Sequence, residues 1–184
     1  RKYDHVTVLF TDFKNFTQAC ERMSPAEMVE EINYCYTAFD RIISKHGLEK
    51  IKTIGDSYMC AGGLPQERND HAVASVKAAI EIRDFMISEK SRRTTAGKSY
   101  FDIRIGLHSG PVVAGIVGEK KFAYDIWGDT VNIASRMESN GETGKVNVSA
   151  ATYELIRSDF DCSARGAIEV KNKGRLEMYF VEIR

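Results

Sequence analysis

Apolar residues along the chain recur at two spacings, and the switches between them outline the elements. His5–Phe10 (HVTVLF) is a run of β-branched and aromatic residues that reads as a buried strand ending at Thr11-Asp12. Ser24-Pro25-Ala26-Glu27 then carries a helix start: Ser as N-cap, Pro at the first helical position and Glu reaching back. Met28, Ile32, Tyr36, Phe39 and Ile43 form a helical apolar stripe that Gly47 ends. Leu48–Thr53 and Ser57–Ala61 read as short strands joined by a turn at Ile54-Gly55-Asp56.

The second half repeats this interleaving. Val73, Val76, Ile80 and Ile87 mark a helix over 70–90, and polar, basic Ser91–Ser99 reads as an exposed loop. Phe101–His108 and Val112–Val117 are expected to pair as strands around Ser109-Gly110-Pro111. A helix is expected from Asp129 to about Asn140, stopped by Gly141 and Gly144. A short strand (Lys145–Val148), a short helix (Ala150–Arg157) and a strand pair (162–170 and 177–183) close the chain. Repeats and low-complexity tracts are absent. The pattern predicts one α+β domain over 1–184, a sheet with helices on one face.

Composition narrows the function classes. Lys+Arg and Asp+Glu each total 26, so the formal net charge is zero and the footprint of a basic nucleic-acid binder is missing. Four cysteines (Cys20, Cys35, Cys60, Cys162) show no metal-site spacing, which favours a reducing, cytoplasmic setting over a zinc or disulfide framework. No apolar run has the length of a membrane span, so no membrane contact is expected of this segment. The chain opens at Arg1 without methionine and runs almost at once into a strand, the look of a catalytic module cut from a longer protein with an unidentified regulatory domain upstream.

Two aspartates stand at strand ends: Asp12 after Val6–Phe10, and Asp56 between two strands. If these strands are neighbours, two carboxylates meet at one sheet edge, where magnesium would be held together with waters and substrate phosphates. Two such ions activate an attacking hydroxyl and stabilise a leaving phosphate. Phe13–Thr17, including Phe16, would then turn backbone N–H groups and a helix start toward a triphosphate. Taken singly, each aspartate also reads as an ordinary turn residue.

Five strings bear on that choice. Leu9–Phe16 (LFTDFKNF), Lys50–Met59 (KIKTIGDSYM), Gly106–Gly110 (GLHSG), Tyr124–Met137 (YDIWGDTVNIASRM) and Val170–Gly174 (VKNKG) closely resemble the class III adenylyl and guanylyl cyclase catalytic domain. They occur in family order and cover nearly the whole chain. The resemblance implies a ferredoxin-like core (βααββαβ) with extra C-terminal strands, head-to-tail homodimers, and active sites shared between subunits. It implies conversion of a nucleoside triphosphate to its 3′,5′-cyclic monophosphate and pyrophosphate with two Mg²⁺, for which Mn²⁺ would substitute. By position, Asp12 and Asp56, with Phe13 beside them, match the metal site. Lys52 and Asp125 match the base-reading pair, with Phe13, Phe16 and Thr17 on the nucleotide. Asn132 and Arg136 match the ribose-orienting and transition-state-stabilising residues, and Lys171 matches the lysine on the terminal phosphates. Asn172 departs from the usual Gly, which leaves Lys173 as an alternative phosphate contact.

The residue types suit that chemistry. Adenine offers an amino donor to Asp125 and a ring-nitrogen acceptor to Lys52; guanine would oppose both groups, at about 1–3 kcal/mol for each buried group left unpaired. Related guanylyl cyclases typically carry Glu and Cys at these positions, so the pair points to ATP. Asn132 and Arg136 share a helical face, with Val131 and Ala134 expected on the core side. A guanidinium matches the charge gathering around phosphorus during in-line attack of the 3′-hydroxyl. The proton acceptor is left open between Asp12 and water. Standing alone, Lys52 reads as a solvated strand lysine and Asn132/Arg136 as helix surface. His108 is expected to be a structural hydrogen-bonding residue, Tyr124 and Trp127 packing or subunit contacts, and Cys60 a small core residue.

The expected function is therefore an adenylyl cyclase homodimer binding ATP, in which Asp12, Asp56, Lys52 and Asp125 come from one subunit and Asn132 and Arg136 from the other, Lys171 going with the base-reading side. The rivals are a guanylyl cyclase, a non-catalytic nucleotide-binding regulatory domain, and a purely structural dimerisation domain.

Overall fold

In the computed structural model, which describes residues 1–184, the chain opens with strand β1 (Lys2–Lys14) at the middle of an eight-stranded sheet. Alternate residues of β1 serve two cores: Leu9 and Phe13 enter one, Val6, Val8 and Phe10 the other. A short helix α1 (Phe16–Glu21) leads to α2 (Pro25–Lys45), whose N-cap Ser24 accepts from the Glu27 N–H at 3.2 Å. The α2 stripe buries Cys35, Phe39 and Ile43. The hairpin β2 (Glu49–Ile54) and β3 (Ser57–Gly62) follows, then α3 (His71–Thr95) and β4 (Asp102–Val117). These elements form the ferredoxin-like core, with sheet order β2-β3-β1-β4. The chain continues through β5 (Ala123–Trp127), α4 (Asp129–Ser139), β6 (Val146–Ser149), α5 (Ala150–Ile156), β7 (Phe160–Val170) and β8 (Gly174–Ile183). Strands β6, β8 and β7 extend the sheet in that order, and β5 pairs only with β4.

Four local expectations change. Only 96–99 of the stretch 91–99 is loop: α3 runs on to Thr95, because its basic residues have acidic partners. Arg93 pairs with the buried Glu31 at 2.7 Å, and Arg92 with Glu89 one turn earlier. Residues 102–117 are not two strands around a turn but one strand of 16 residues. Pro111 lies where the β1–β4 register shifts, at a bulge between Tyr3 and Val6, which is where a residue without an N–H can be carried inside a sheet. Val113–Val117 pair instead with β5, a strand that the sequence pattern did not reveal. And α2, α3 and α5 share one face of the sheet with the larger core, while α4 alone covers the other, burying Ala134 there.

The seat of α4 depends on Gly106. A Cβ at that position of β4 would run into the backbone of Met137 and Glu138, so the last turn of α4 rests directly on the strand. Asn147 of β6 donates to the Met137 carbonyl at 2.8 Å, pairing one of the carbonyls left open at the helix end. No helix is long and apolar enough to cross a membrane.

Candidate active site

On the α4 face, β1 delivers Asp12 opposite Ser57 of β3 and opposite Arg104 of β4. The two-residue turn before Ser57 holds Gly55 at φ 59, the left-handed region, and this brings Asp56 beside Asp12. The condition set by the sequence, that these carboxylates converge, is met. Burial first, then the neighbouring Asp56 carboxyl, pushes Asp12 up to about 6; Arg104 works against that rise. The Arg104 guanidinium approaches Asp12 Oδ2 at 3.4 Å and Glu138 Oε2 at 3.2 Å. Glu138, on the last turn of α4, keeps 8% of its side-chain accessibility, and burial followed by the Asp12 charge raises it to about 7. Its Oε2 and the Arg104 Nε are close but misaligned for a hydrogen bond, so charge holds this pair.

These residues fit a divalent cation. Asp12 Oδ1 is buried without a hydrogen-bond donor, and the neighbouring Asp56 carboxyl offers it a second acceptor, not a donor. A hard cation satisfies both oxygens and removes the repulsion. No cluster of three or more acidic, His or Cys side chains surrounds the position, so waters and substrate oxygens would complete the coordination, as magnesium prefers.

The flanking residues divide. Phe13 points to the opposite face, 3% exposed, its ring 4.8 Å from that of Phe101, so only its main chain can serve a metal or nucleotide. Phe16 also leans on Phe101, at 5.5 Å, while Thr17 is exposed on the first turn of α1, where N–H groups lack intrahelical partners. Lys52 of β2 and Asp125 of β5 meet directly: Nζ lies 2.8 Å from Oδ2, and Oδ1 accepts from the Ile126 N–H at 2.8 Å. On α4 the residues Thr130, Ile133, Ala134 and Met137 are buried, Val131 packs partly against the core, and Asn132 and Arg136 lie on the exposed stripe. Arg136 donates to the Glu169 carbonyl of β7 at 2.9 Å. Lys171 is exposed and unpaired in the β7–β8 turn, whereas Lys173 is drawn to Asp129 at 3.5 Å. Asn172 between them has φ 66, a conformation Asn adopts more readily than other non-glycine residues.

Within one chain, then, Asp12 meets Asp56 and Lys52 meets Asp125, but no hydrogen bond or ion pair links either pair to Asn132, Arg136 or Lys171. His108 is structural: its Nδ1 is 2.6 Å from Ser149 Oγ, and burial, then the Lys173 charge, lowers it to about 4. Cys60 is a fully buried core residue, and all four cysteines are free. Sequence reasoning missed Arg104 and Glu138. Arg104 alternates with Ile103 and Ile105 like any solvent-facing strand residue, and Glu138 sits in a polar helix end; only the register opposite Asp12 gives them a role.

The family model described as the adenylate and guanylate cyclase catalytic domain matches residues 1–183. An adenylate cyclase of Mycobacterium tuberculosis is 42% identical over 180 residues, covering 98% of this chain and 40% of its own length. The chain thus spans about two-fifths of that relative. The guanylate cyclase domain of RhGC from Catenaria anguillulae, solved with GTP, superposes with a TM-score of 0.92 at 38% identity, covering 100% of this chain and 99% of that one. A guanylyl cyclase domain of the RhoGC fusion protein from the aquatic fungus Blastocladiella emersonii, solved as an unusual dimer, gives 0.91 at 36% identity, with 100% and 99% covered. Both purine specificities thus occur among its relatives, and with the aspartate pair side by side on the α4 face of the sheet the chain belongs to the class III adenylate and guanylate cyclase catalytic-domain family.

Proposed function

We propose that the chain converts ATP to 3′,5′-cyclic AMP and pyrophosphate, as a homodimer with two equivalent sites. The observation that carries the cyclase reading is the Asp12 carboxyl, its Oδ1 buried without a donor, set beside the Asp56 carboxyl. Asp12 and Asp56, with the main chain of Phe13, would hold two Mg²⁺. When bound, these ions supply Lewis-acid activation of the 3′-hydroxyl and charge stabilisation of the leaving pyrophosphate. Lys171 neutralises the terminal phosphates, and the free N–H groups of Phe16 and Thr17 add dipoles aimed at the same charge. Arg136 balances charge developing on the α-phosphate, and Asn132 orients the ribose.

The Lys52–Asp125 contact supports ATP. Its donor and acceptor are 2.8 Å apart, so one planar base edge can engage both. Adenine satisfies each; guanine would meet the carboxylate with a carbonyl oxygen and the ammonium with an N–H.

Two features support a site shared between subunits. Asn132 and Arg136 face outward from α4 while Asp12 and Asp56 lie on its sheet side, so a nucleotide touching all four needs a second copy. The β4–β5 hairpin also exposes large apolar side chains, the cross-strand pair Val113 and Trp127 on one face and Ile116 and Phe122 on the other, surface suited to such a copy. Asp125 leads through Trp127 and Gly128 straight into α4, and Arg136 follows Asn132 by about 6 Å of helix rise. Base, ribose and phosphate contacts thus succeed one another along one subunit. The base-reading pair is therefore assigned with α4 and Lys171, opposite the metal carboxylates, rather than beside them as the sequence alone suggested.

The test is product analysis with ATP and with GTP, in Mg²⁺ or Mn²⁺, over a range of protein concentrations. Cyclic AMP formed with a specific activity that rises with concentration is expected. Preferred turnover of GTP would identify a guanylyl cyclase, and no turnover of either a regulatory module.

A further inference from the structure

The apolar stripe of α2 contains one residue whose polar atom the core does not explain. Tyr36 could be filled by Phe as far as packing goes, yet its hydroxyl donates to the Gly55 carbonyl at 3.3 Å. That is the one side-chain hydrogen bond made to the turn Ile54–Ser57, whose tip carries Asp56. The Tyr36 ring stacks on Phe13, the residue after Asp12, with centroids 5.9 Å apart and planes 19° apart. Phe39 at 5.9 Å and Tyr58 at 5.3 Å hold the ring from other sides, which fixes its rotamer.

We propose that Tyr36 is a positioning residue for the divalent-cation site, a single side chain bracing both backbone segments that carry the metal carboxylates. The inference rests on the reading of Asp12 and Asp56 as metal ligands. Gly55 has a left-handed φ and open space where a Cβ would lie, so nothing else packs on the turn at that point. Without the hydroxyl, Asp56 is positioned by the hairpin ladder alone. Two carboxylates that repel each other need external restraint to stay at chelating distance, and a site loosened by a fraction of an ångström loses affinity. The hydroxyl is held well above the ordinary tyrosine range by burial, then by Asp56 and Asp12, in line with its place near both.

The experiment is Mn²⁺ binding to the full chain, followed by the EPR signal of the free ion, for wild type, Tyr36→Phe, Tyr58→Phe and Asp56→Ala. Tyr58 belongs to the same ring cluster, but its hydroxyl goes to Asp40 at 2.6 Å instead of the turn. Tyr36→Phe is expected to weaken Mn²⁺ binding about five-fold, the effect of one lost hydrogen bond. The Mn²⁺ concentration giving half-maximal rate should rise by the same factor. Tyr58→Phe should lower thermal stability and leave Mn²⁺ affinity at the wild-type value. Unchanged affinity in Tyr36→Phe, or equal weakening in Tyr58→Phe, overturns the positioning role while Asp56→Ala still abolishes binding. Wild-type binding by Asp56→Ala overturns the metal reading and this inference together.

Discussion

Without a cation, the Asp12–Asp56 pair is a cost to the fold, and its size can be worked out. Asp12 titrates near 6 in the folded chain against 3.8 for an ordinary aspartate, a rise of about 2 pK units. At 1.36 kcal/mol per unit that is about 3 kcal/mol of destabilisation once the carboxylate is charged. Its side chain keeps 22% of its accessibility, so solvent screening brings the expected value to about 1–3 kcal/mol. The sign follows from proton linkage. Between 3.8 and 6 the folded state binds more protons than the unfolded, so stability falls as pH rises through that window. The penalty is absent below 3.8 and complete above 6.

Asp12→Asn places a neutral isostere there and leaves Arg104 its partner Glu138. In EDTA at neutral pH the variant should therefore unfold about 2–12 °C above wild type, on the usual scale of about 2–4 °C per kcal/mol for a chain of this size. The gap should close as pH approaches 4, and Mn²⁺ should raise the Tm of wild type only. Differential scanning calorimetry in EDTA at several pH values makes the measurement. A variant no more stable than wild type at neutral pH, or a gap that persists unchanged at pH 4, would refute the reasoning.

Three other outcomes are expected. Asp56→Ala and Arg136→Ala should each slow cyclic AMP formation roughly a thousandfold or more, and their mixture should regain about a quarter of wild-type activity, since random pairing rebuilds one intact site in half the dimers. A mixture as inactive as its parents would end the shared-site proposal, and repeating it with Lys52→Ala in place of Arg136→Ala tells which side carries the base pair. Lys52→Glu combined with Asp125→Cys should move the ratio of ATP to GTP turnover toward GTP by tenfold or more; an unchanged ratio would remove these residues from base selection. Gly106→Ala should lower the Tm by about 3–10 °C and activity with it, because the new Cβ must push the last turn of α4 off β4; a shift below about 2 °C would mean that this approach is not needed.

Much of the molecule was legible where neighbours in sequence decide the outcome. The Ser24-Pro25 helix start, the α2 stripe and the Gly55 turn depend on capping, periodicity and left-handed backbone within a few residues, and each formed as expected. The aspartate pair was foreseeable for the same reason: although β1 runs two residues past Asp12, its pairing beside β3 is enough to bring Asp12 to the turn that carries Asp56. What the sequence could not carry was pairing across long separations. Polar 91–95 is helical because Glu31, far earlier in the chain, receives Arg93. Gly110-Pro111, a turn signal in isolation, is absorbed by a bulge against β1. Arg104, Glu138 and the Tyr36 hydroxyl look like ordinary surface and core positions until register and packing set them around Asp12 and Asp56. Local propensity acts through backbone torsions and near neighbours, whereas the charge and hydrogen-bond partners of a site are chosen only when distant strands align, and that alignment is a property of the folded sheet.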